Sequence, residues 1–259
     1  MPQDLLITPI SAFQDNYLWL LHHQGGDWAA VVDPGDASVV EQTLETLGLS
    51  LTAILVTHHH WDHVNGIAAL KSRYRASVYG PAKEDIPGCD HPLVEGARIQ
   101  LAGLDAGFEV LETPGHTRGH IAYYGEGALF CGDTLFAGGC GRLFEGSAAQ
   151  LHTSLKRLAR LPGTTRIYCA HEYTQANLRF AIEVDPDNVD LQQRIEQVAG
   201  LRARGLPSLP SSLAGECRTN PFLRCAATRI RAAAERHAGH PLASEVEVFA
   251  ELRSWKDQF

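Results

Sequence analysis

Apolar residues in the first two thirds of the chain form short runs separated by glycine, proline and aspartate. The runs are rich in valine, isoleucine, tyrosine and phenylalanine, which is typical of β-strands bounded by turns. This pattern predicts strands at LLITPI, YLWLLH, AAVVDPG, LTAILVT, ASVYG, FEVLETPG, IAYYG, ALFCGDT and RIYCAH. Two intervening segments, SVVEQTLETLG and AAQLHTSLKRLARL, carry apolar residues three or four positions apart and predict helices.

The pattern changes after Tyr173. Helical spacing dominates there, in TQANLRFAIEV, VDLQQRIEQVAGLRARG, ATRIRAAAERHAG and SEVEVFAELRSW, with LPSLPSS as an interrupting loop. We therefore predict an α/β domain over residues 1–173 and a helical domain over residues 174–259. A length of 259 residues and a hydrophobic content of 44% suit such an arrangement.

The formal net charge of −8 comes from the predicted first domain. Residues 1–173 hold 11 Lys and Arg against 19 Asp and Glu, whereas residues 174–259 hold 11 of each class. An acidic chain disfavours nucleic acid as a partner, because phosphate binding needs clustered cations.

Several features predict a cytoplasmic protein without a membrane partner, and we expect a monomer. No apolar run reaches 18 residues, and MPQDLLITPI lacks the pattern of a secretory signal. The six cysteines form no C-x-x-C pair and are expected to be reduced thiols.

Four histidines and an aspartate crowd the end of one predicted strand, in LTAILVTHHHWDHVNG. His58 and His60 alternate with His59 and should project to the same side of the extended chain. Asp62 and His63 should begin a helix over DHVNGIAALKSRY. Imidazole and carboxylate groups suit zinc, iron and manganese, so the segment predicts a metal site that excludes His59. A surface histidine patch is the alternative, but it does not explain the buried strand AILV before it.

Three further segments place a possible ligand after a predicted strand. ETPGHTRGH offers His116, with His120 in a supporting role. LFCGDTLF offers Asp133, which alone would read as a turn residue, and IYCAHEYT offers His171, which alone would read as a packing residue. Ligand types at four strand ends together favour one metal centre, because open sheets place their sites at strand ends.

THHHWDH, PGHTRGH, CGDTLF and HEYT, in this order, resemble the motifs of the metallo-β-lactamase superfamily. GDTLFAGGCGR, HEYTQANLRFA, NPFLR and KDQF are narrower and resemble the hydroxyacylglutathione hydrolase (glyoxalase II) family. The resemblance runs from DNYLWLL to the final KDQF. It implies an αββα sandwich with a binuclear metal site at one edge and a C-terminal α-helical domain.

The resemblance also implies the arrangement of the metal ligands. They would be His58, His60 and His116 in one site, Asp62, His63 and His171 in the other, with Asp133 bridging. Two divalent ions are expected, zinc first, with iron and manganese accepted by the same donors. The implied reaction is attack by a metal-bridging hydroxide on a glutathione thioester, with Asp62 and Asp133 as catalytic residues. S-lactoylglutathione would give glutathione and D-lactate, the second step of methylglyoxal detoxification.

The resemblance implies glutathione contacts at most, but not all, of the family's substrate-binding positions. Arg142, Tyr173, Arg253 and Lys256 match its substrate-binding positions, while Phe144 stands where some members have a tyrosine. The thioester is expected to lie in a groove between the two predicted domains. Arg142 could instead be a solvated surface cation, and Lys256 part of a frayed terminus.

Rival functions would use the same ligands differently. A lactonase or β-lactamase would not need Arg253 or Lys256. A mononuclear-iron glutathione-persulfide oxygenase would leave the second metal site empty. The negative charge argues against an RNA-processing nuclease on this fold, and the seven ligand residues argue against a non-catalytic binding module.

Overall fold

A computed structural model describes residues 5–259, which form two compact units. The first unit comprises the described residues up to Glu112 together with Gly119–Gly132, and the second comprises Thr113–Arg118 and Asp133–Phe259. The start of the MPQDLLITPI segment, Met1 to Asp4, lies outside the described residues. The domain boundary expected after Tyr173 remains a prediction.

A six-stranded sheet in the order of the chain forms one part of the first unit. Its strands are β1 (Leu5–Ala12), β2 (Asn16–His23), β3 (Trp28–Val32), β4 (Ser50–Leu55), β5 (Ser77–Pro81) and β6 (His91–Leu93). The pairs from β1 to β3 are antiparallel, and those from β3 to β6 are parallel. The parallel part brings the carboxyl ends of β3 and β4 to the same edge.

Helices of the first unit lie between these strands along the chain. They are α1 (Ala37–Leu47), α2 (Trp61–Val64) and α3 (Ile67–Tyr74). Val40, Leu44, Ile67 and Leu70 from α1 and α3 share a buried apolar cluster with residues of β2, β3 and β4. Asp36 caps the start of α1 by accepting a hydrogen bond from the backbone N–H of Ser38 at 2.9 Å.

Four antiparallel strands complete the first unit: β7 (Arg98–Leu101), β8 (Ala106–Glu112), β9 (Ile121–Gly125) and β10 (Ala128–Gly132). The buried Tyr123 hydroxyl of β9 donates to the carbonyl oxygen of Val56 at 2.8 Å. The backbone N–H of Ile121 donates to Thr57 at 3.0 Å. These bonds attach the antiparallel strands to the segment that leads into the histidine motif.

The second unit is mainly helical. Its helices are α4 (Ala148–Leu158), α5 (Thr174–Val184), α6 (Val189–Ala203), α7 (Leu213–Thr219), α8 (Thr228–Ala238) and α9 (Glu245–Gln258), with a 3-10 turn at Pro221–Leu223. Its short strands are β11 (Leu135–Phe136), β12 (Gly139–Cys140), β13 (Arg166–Cys169) and β14 (Ser211–Ser212). Every helix predicted beyond Tyr173 is present, so the helical character of that region is confirmed.

One predicted helix is wrong. The segment DHVNGIAALKSRY forms two helices, α2 and α3, separated at Asn65 and Gly66. The Gly66 N–H donates to the Pro34 carbonyl at 2.9 Å, and a Cβ at this position would lie 2.4 Å from the same oxygen. This close approach of two backbone segments requires glycine and interrupts the helix.

No helix within residues 5–259 has both the length and the apolar composition that crossing a membrane requires.

Candidate active site

His58, His60 and His63 form a compact group of imidazoles in the first unit, beyond the end of β4. His58 Nε2 lies 3.0 Å from His60 Nδ1, and the ring centroids of His58 and His63 are 4.0 Å apart. His58 and His63 are buried, while His60 is partly exposed. Imidazole nitrogens this close together can converge on one cation.

Asp33, directly after β3, orients this group. Its carboxylate accepts hydrogen bonds from the backbone N–H and the hydroxyl of Thr57, both at 2.7 Å. It also lies 3.1 Å from His63 Nδ1. A carboxylate on Nδ1 fixes the ring and leaves Nε2 as the nitrogen available for a metal. That Nε2 lies 3.4 Å from the carboxylate of Asp62.

The position of Asp62 depends on two neighbours in the same unit. The Asn16 amide at the start of β2 donates to Asp62 Oδ2 at 3.0 Å. Gly35 lies against the Asp62 backbone, where a Cβ would come within 1.8 Å of the carbonyl oxygen. Only glycine permits this approach, so the Pro34–Gly35 turn helps to set where the carboxylate lies.

His59 and His120 take different positions from the predicted ligands of this unit. Glu84 Oε2 lies 2.7 Å from the His59 backbone nitrogen and 2.8 Å from its Nδ1. The buried His120 ring stacks on His58, with centroids 4.7 Å apart. His59 is thus engaged by a carboxylate, and His120 supports the ring of His58.

The second unit groups the other three predicted ligands. Asp133 lies between two imidazoles, 3.5 Å from His116 Nε2 and 3.4 Å from His171 Nε2. His116 Nδ1 lies 2.9 Å from the Arg142 carbonyl oxygen, and the His171 ring stacks on Tyr173 with centroids 4.7 Å apart. Both rings therefore present Nε2 towards the same carboxylate.

Each unit thus gathers its own share of the predicted ligands, four in the first and three in the second. All are imidazoles or carboxylates, and none is a thiolate. Such a nitrogen and oxygen donor set fits zinc, iron or manganese.

A cavity of about 440 Å³ lies within the second unit. Its lining combines metal-ligand candidates, cations and aromatic rings: His116, Asp133, Phe136, Cys140, Arg142, Phe144, Tyr173, Ala176, Asn177, Arg253 and Lys256. All five residues predicted to bind substrate are among them. The lining residues come from both sides of Tyr173 in the sequence. Four of them were not predicted from the sequence: Phe136, Cys140, Ala176 and Asn177.

Arg253 is the most deeply placed cation of the cavity, with 3% of its surface exposed. Its guanidinium donates to the Cys140 carbonyl at 2.9 Å and to Asp257 at 3.0 Å. The buried Nε–H has no hydrogen-bond acceptor within residues 5–259. A buried donor without an acceptor is costly, which makes Arg253 a good partner for an anionic ligand.

Lys256 lies on the same helix, α9, which continues to Gln258. Its ammonium donates to Asn177 Oδ1 at 2.5 Å. Burial, followed by the charge of Arg253, lowers the pKa of Lys256 to about 8. Lys256 can therefore change its charge within an ordinary assay range. Arg142 is largely exposed and lies 3.4 Å from Asp257.

Comparison with known proteins shows two matching family models. Residues 15–171 match the metallo-beta-lactamase superfamily, and residues 172–259 match the hydroxyacylglutathione hydrolase C-terminus. A hydroxyacylglutathione hydrolase from Pseudomonas fluorescens (strain SBW25) is 54% identical over 254 residues, covering 98% of this chain and 99% of the relative.

The chain belongs to the hydroxyacylglutathione hydrolase family of the metallo-β-lactamase superfamily.

Solved structures share this fold. ETHE1 from Myxococcus xanthus has a TM-score of 0.68 and 25% identity, covering 96% of this chain and 91% of the other. TTHA1623 in a di-iron-bound form has a TM-score of 0.59 and 28% identity, covering 84% and 100%. The predicted resemblance and the α/β metallo-β-lactamase fold with a C-terminal helical region are confirmed. The superfamily implies a divalent metal site with histidine and aspartate ligands.

In this member of the hydroxyacylglutathione hydrolase family, a buried polar network supports the hairpin of β11 and β12. Glu216 Oε2 accepts a hydrogen bond from the Gly138 N–H at 2.9 Å. The Asn220 amide donates to the carbonyls of Phe136 and Gly139 at 3.2 and 2.9 Å. Arg194 forms a short ion pair with Glu216. The network thereby fixes the hairpin whose residues Phe136 and Cys140 line the cavity.

Ionisation of Glu216 depends on these contacts. Complete burial acts to raise the pKa of Glu216, but the charge and hydrogen bond of Arg194 and the hydrogen bond from the Gly138 N–H outweigh it, so the pKa lies below its ordinary value. The carboxylate is therefore charged at neutral pH and needs its cation.

The residues of the cavity and of its supporting network differ in how clearly the sequence indicates them. Asn220 belongs to the NPFLR motif, and an asparagine before a proline is a recognised turn or cap signal. Asn177 lies within HEYTQANLRFA, but its spacing alone does not distinguish it from a helix surface residue. Glu216 carries no sequence signal, because its partners are far along the chain.

Arg194→Met should lower the free energy of unfolding by about 3–5 kcal/mol, because it leaves the Glu216 carboxylate buried without its cation. The matched control is Arg218→Met. Arg218 pairs with Asp190 at 3.6 Å, and both side chains are more than half exposed, so the change should stay within about 1 kcal/mol. Urea denaturation at pH 7 measures both, and equal small losses would contradict the role given to Arg194.

Proposed function

We propose that the chain hydrolyses thioesters of glutathione, with S-lactoylglutathione giving glutathione and D-lactate as in methylglyoxal detoxification. The observation that carries this proposal is the cavity of the second unit, in which Arg142, Arg253 and Lys256 accompany His116 and Asp133. Cations beside metal-ligand candidates suit an anionic substrate with a hydrolysable group. The name of the Pseudomonas fluorescens relative supports the same activity.

The metal ligands of the proposed enzyme are those predicted from the sequence. His58, His60 and His116 would hold one ion, Asp62, His63 and His171 a second, and Asp133 both. We propose zinc, while iron and manganese suit the same donors, and the di-iron form of TTHA1623 gives a relative with two ions. Bound divalent ions would supply a water that ionises near neutral pH and a Lewis acid for the thioester carbonyl.

The side chains of the protein have separate tasks in this reaction. Asp62, held by Asn16, would orient the attacking water. Asp133 lies close to His116 and His171 and would keep both rings aligned. The leaving group is a thiolate, and a thiol pKa of roughly 8.5 lets it depart without a dedicated general acid. A Ser-His-Asp arrangement is unnecessary.

Recognition of glutathione would fall to the cavity. Its two carboxylates are natural partners for Arg253 and Lys256, through charge-assisted hydrogen bonds. Arg142 would add long-range attraction from a more exposed position, and Tyr173 can offer a hydroxyl group. Phe144 is exposed and packs edge-on to the ring of His116, with centroids 5.2 Å apart, so it would contribute an apolar contact.

The remaining expectations belong to the same proposal: a cytoplasmic monomer that acts on a small molecule. The six cysteines are thiols within residues 5–259, which fits a reducing compartment.

The direct test of the proposed function is hydrolysis of S-lactoylglutathione by the metal-replete protein, followed as loss of thioester absorbance. We expect turnover that a strong chelator abolishes and added metal restores. His58→Ala should be inactive, since it removes one predicted ligand and the support for His60. No turnover by the metal-replete protein would refute the proposal.

The pH dependence of kcat/KM tests the role of Lys256. This parameter reports pKa values of the free enzyme, and Lys256 has a pKa of about 8. The side chain is charged below that value and neutral above it, so kcat/KM should fall by up to about tenfold between pH 7 and pH 9. Lys256→Arg keeps its charge over this range and should move the fall to higher pH.

Lys256→Met provides the complementary control. It should raise KM at pH 7 and should remove the fall in kcat/KM that the wild type shows as Lys256 loses its charge. Ionisation of the substrate itself affects all three proteins equally. If Lys256→Arg and the wild type lost activity at the same pH, the assignment of Lys256 to carboxylate binding would be wrong.

A further inference from the structure

Two large aromatic side chains lie exposed and in contact with each other on the first unit. Phe13 and Trp61 have 46% and 65% of their surfaces accessible, and their rings meet edge-on with centroids 5.0 Å apart. Exposed apolar surface of this kind often marks a binding site. The contact leaves about half of Phe13 and about two thirds of Trp61 open to a further partner.

The backbone at Phe13 is also unusual. Phe13 has a φ of 51° in the turn between β1 and β2, a left-handed conformation that bulky residues seldom adopt. Glycine or asparagine would occupy this position with less strain. Strained conformations of this kind cluster at functional sites. A phenylalanine here therefore points to a use for its ring.

Both aromatic residues are connected to a predicted metal ligand. Trp61 stands between His60 and Asp62 in the sequence and begins α2. The turn that carries Phe13 is followed by Asn16, whose amide donates to Asp62 Oδ2 at 3.0 Å. The backbone that carries each ring thus continues directly into residues that hold or supply the Asp62 carboxylate, which would orient the attacking water.

We propose that Phe13 and Trp61 form an apolar surface that contacts the acyl group of the thioester and sets the preference among acyl groups. This inference rests on the proposed function. The acyl group and the glutathione lie on opposite sides of the thioester bond, so the cations of the second unit do not select the acyl group. Two aromatic rings should favour 2-hydroxyacyl groups with an apolar substituent over the small lactoyl group.

The experiment compares S-mandeloylglutathione with S-lactoylglutathione, which differ by a phenyl ring in place of a methyl group. Phe13→Asn removes the ring and suits the left-handed backbone. We expect it to lower the ratio of the two kcat/KM values, mandeloyl over lactoyl, by about tenfold. Phe13→Tyr should keep the wild-type ratio. The metal content of each variant is measured alongside.

A second readout needs no turnover. S-benzylglutathione and S-methylglutathione are thioethers that are not hydrolysed; the first carries a phenyl ring near the sulfur and the second does not, and calorimetry gives their dissociation constants. Phe13→Asn should weaken the benzyl compound by about tenfold relative to the methyl compound. Trp61→Leu should act in the same direction, and it replaces Phe13→Asn if that variant fails to fold.

The matched control is Trp28→Ala. Trp28 is 45% exposed and lies at the start of β3, at the opposite end of the strand from Asp33, so both ratios should be unchanged. Ratios within twofold of wild type in Phe13→Asn and Trp61→Leu would overturn the proposal. Normal hydrolysis of S-lactoylglutathione in that case would leave the proposed function standing, whereas no hydrolysis by the wild type would refute the proposed function itself.

Discussion

The hydrogen bonds of one buried carboxylate, Asp33, hold the histidine motif in place. Asp33 follows β3 and binds both the backbone and the hydroxyl of Thr57, where the chain leaves β4. It also contacts His63 Nδ1 at 3.1 Å. A single side chain thereby joins the ends of two parallel strands and the first turn of α2. Asp33 thereby helps to fix the positions of the neighbouring imidazoles.

In the second unit, other elements hold the predicted metal ligands in position. Asp133 follows a strand end and lies close to two imidazoles, while Glu216 and Asn220 hold the hairpin beside it. Buried polar groups are tolerated only when their hydrogen-bond partners are supplied. The helices beyond Tyr173 supply many of these partners, which explains physically why the helical region accompanies the cavity. Arg253 and Lys256 then come from its last helix.

The sequence predicted the longer strands and helices because their apolar periodicity is local. It failed at Gly66, where contact with Pro34 from a distant part of the chain interrupts a pattern that otherwise favours one helix. The short strands β6, β7, β11, β12 and β14 were not predicted, since two to four residues carry too little periodicity.

The candidate ligands could be proposed from the sequence because each stands in a short motif at a strand end. The network around the cavity could not, because Asn177, Glu216 and Arg194 acquire their roles through contacts between distant residues. Phe13 could not be proposed from the sequence either, since its exposure and positive φ exist only in the folded chain.

The proposed function requires the chain to bind two divalent ions, and counting bound metal tests this requirement most directly. Protein stripped with a chelator, reloaded with zinc and freed of excess metal by dialysis should contain two ions per chain by elemental mass spectrometry. One ion per chain, or none, would contradict the account.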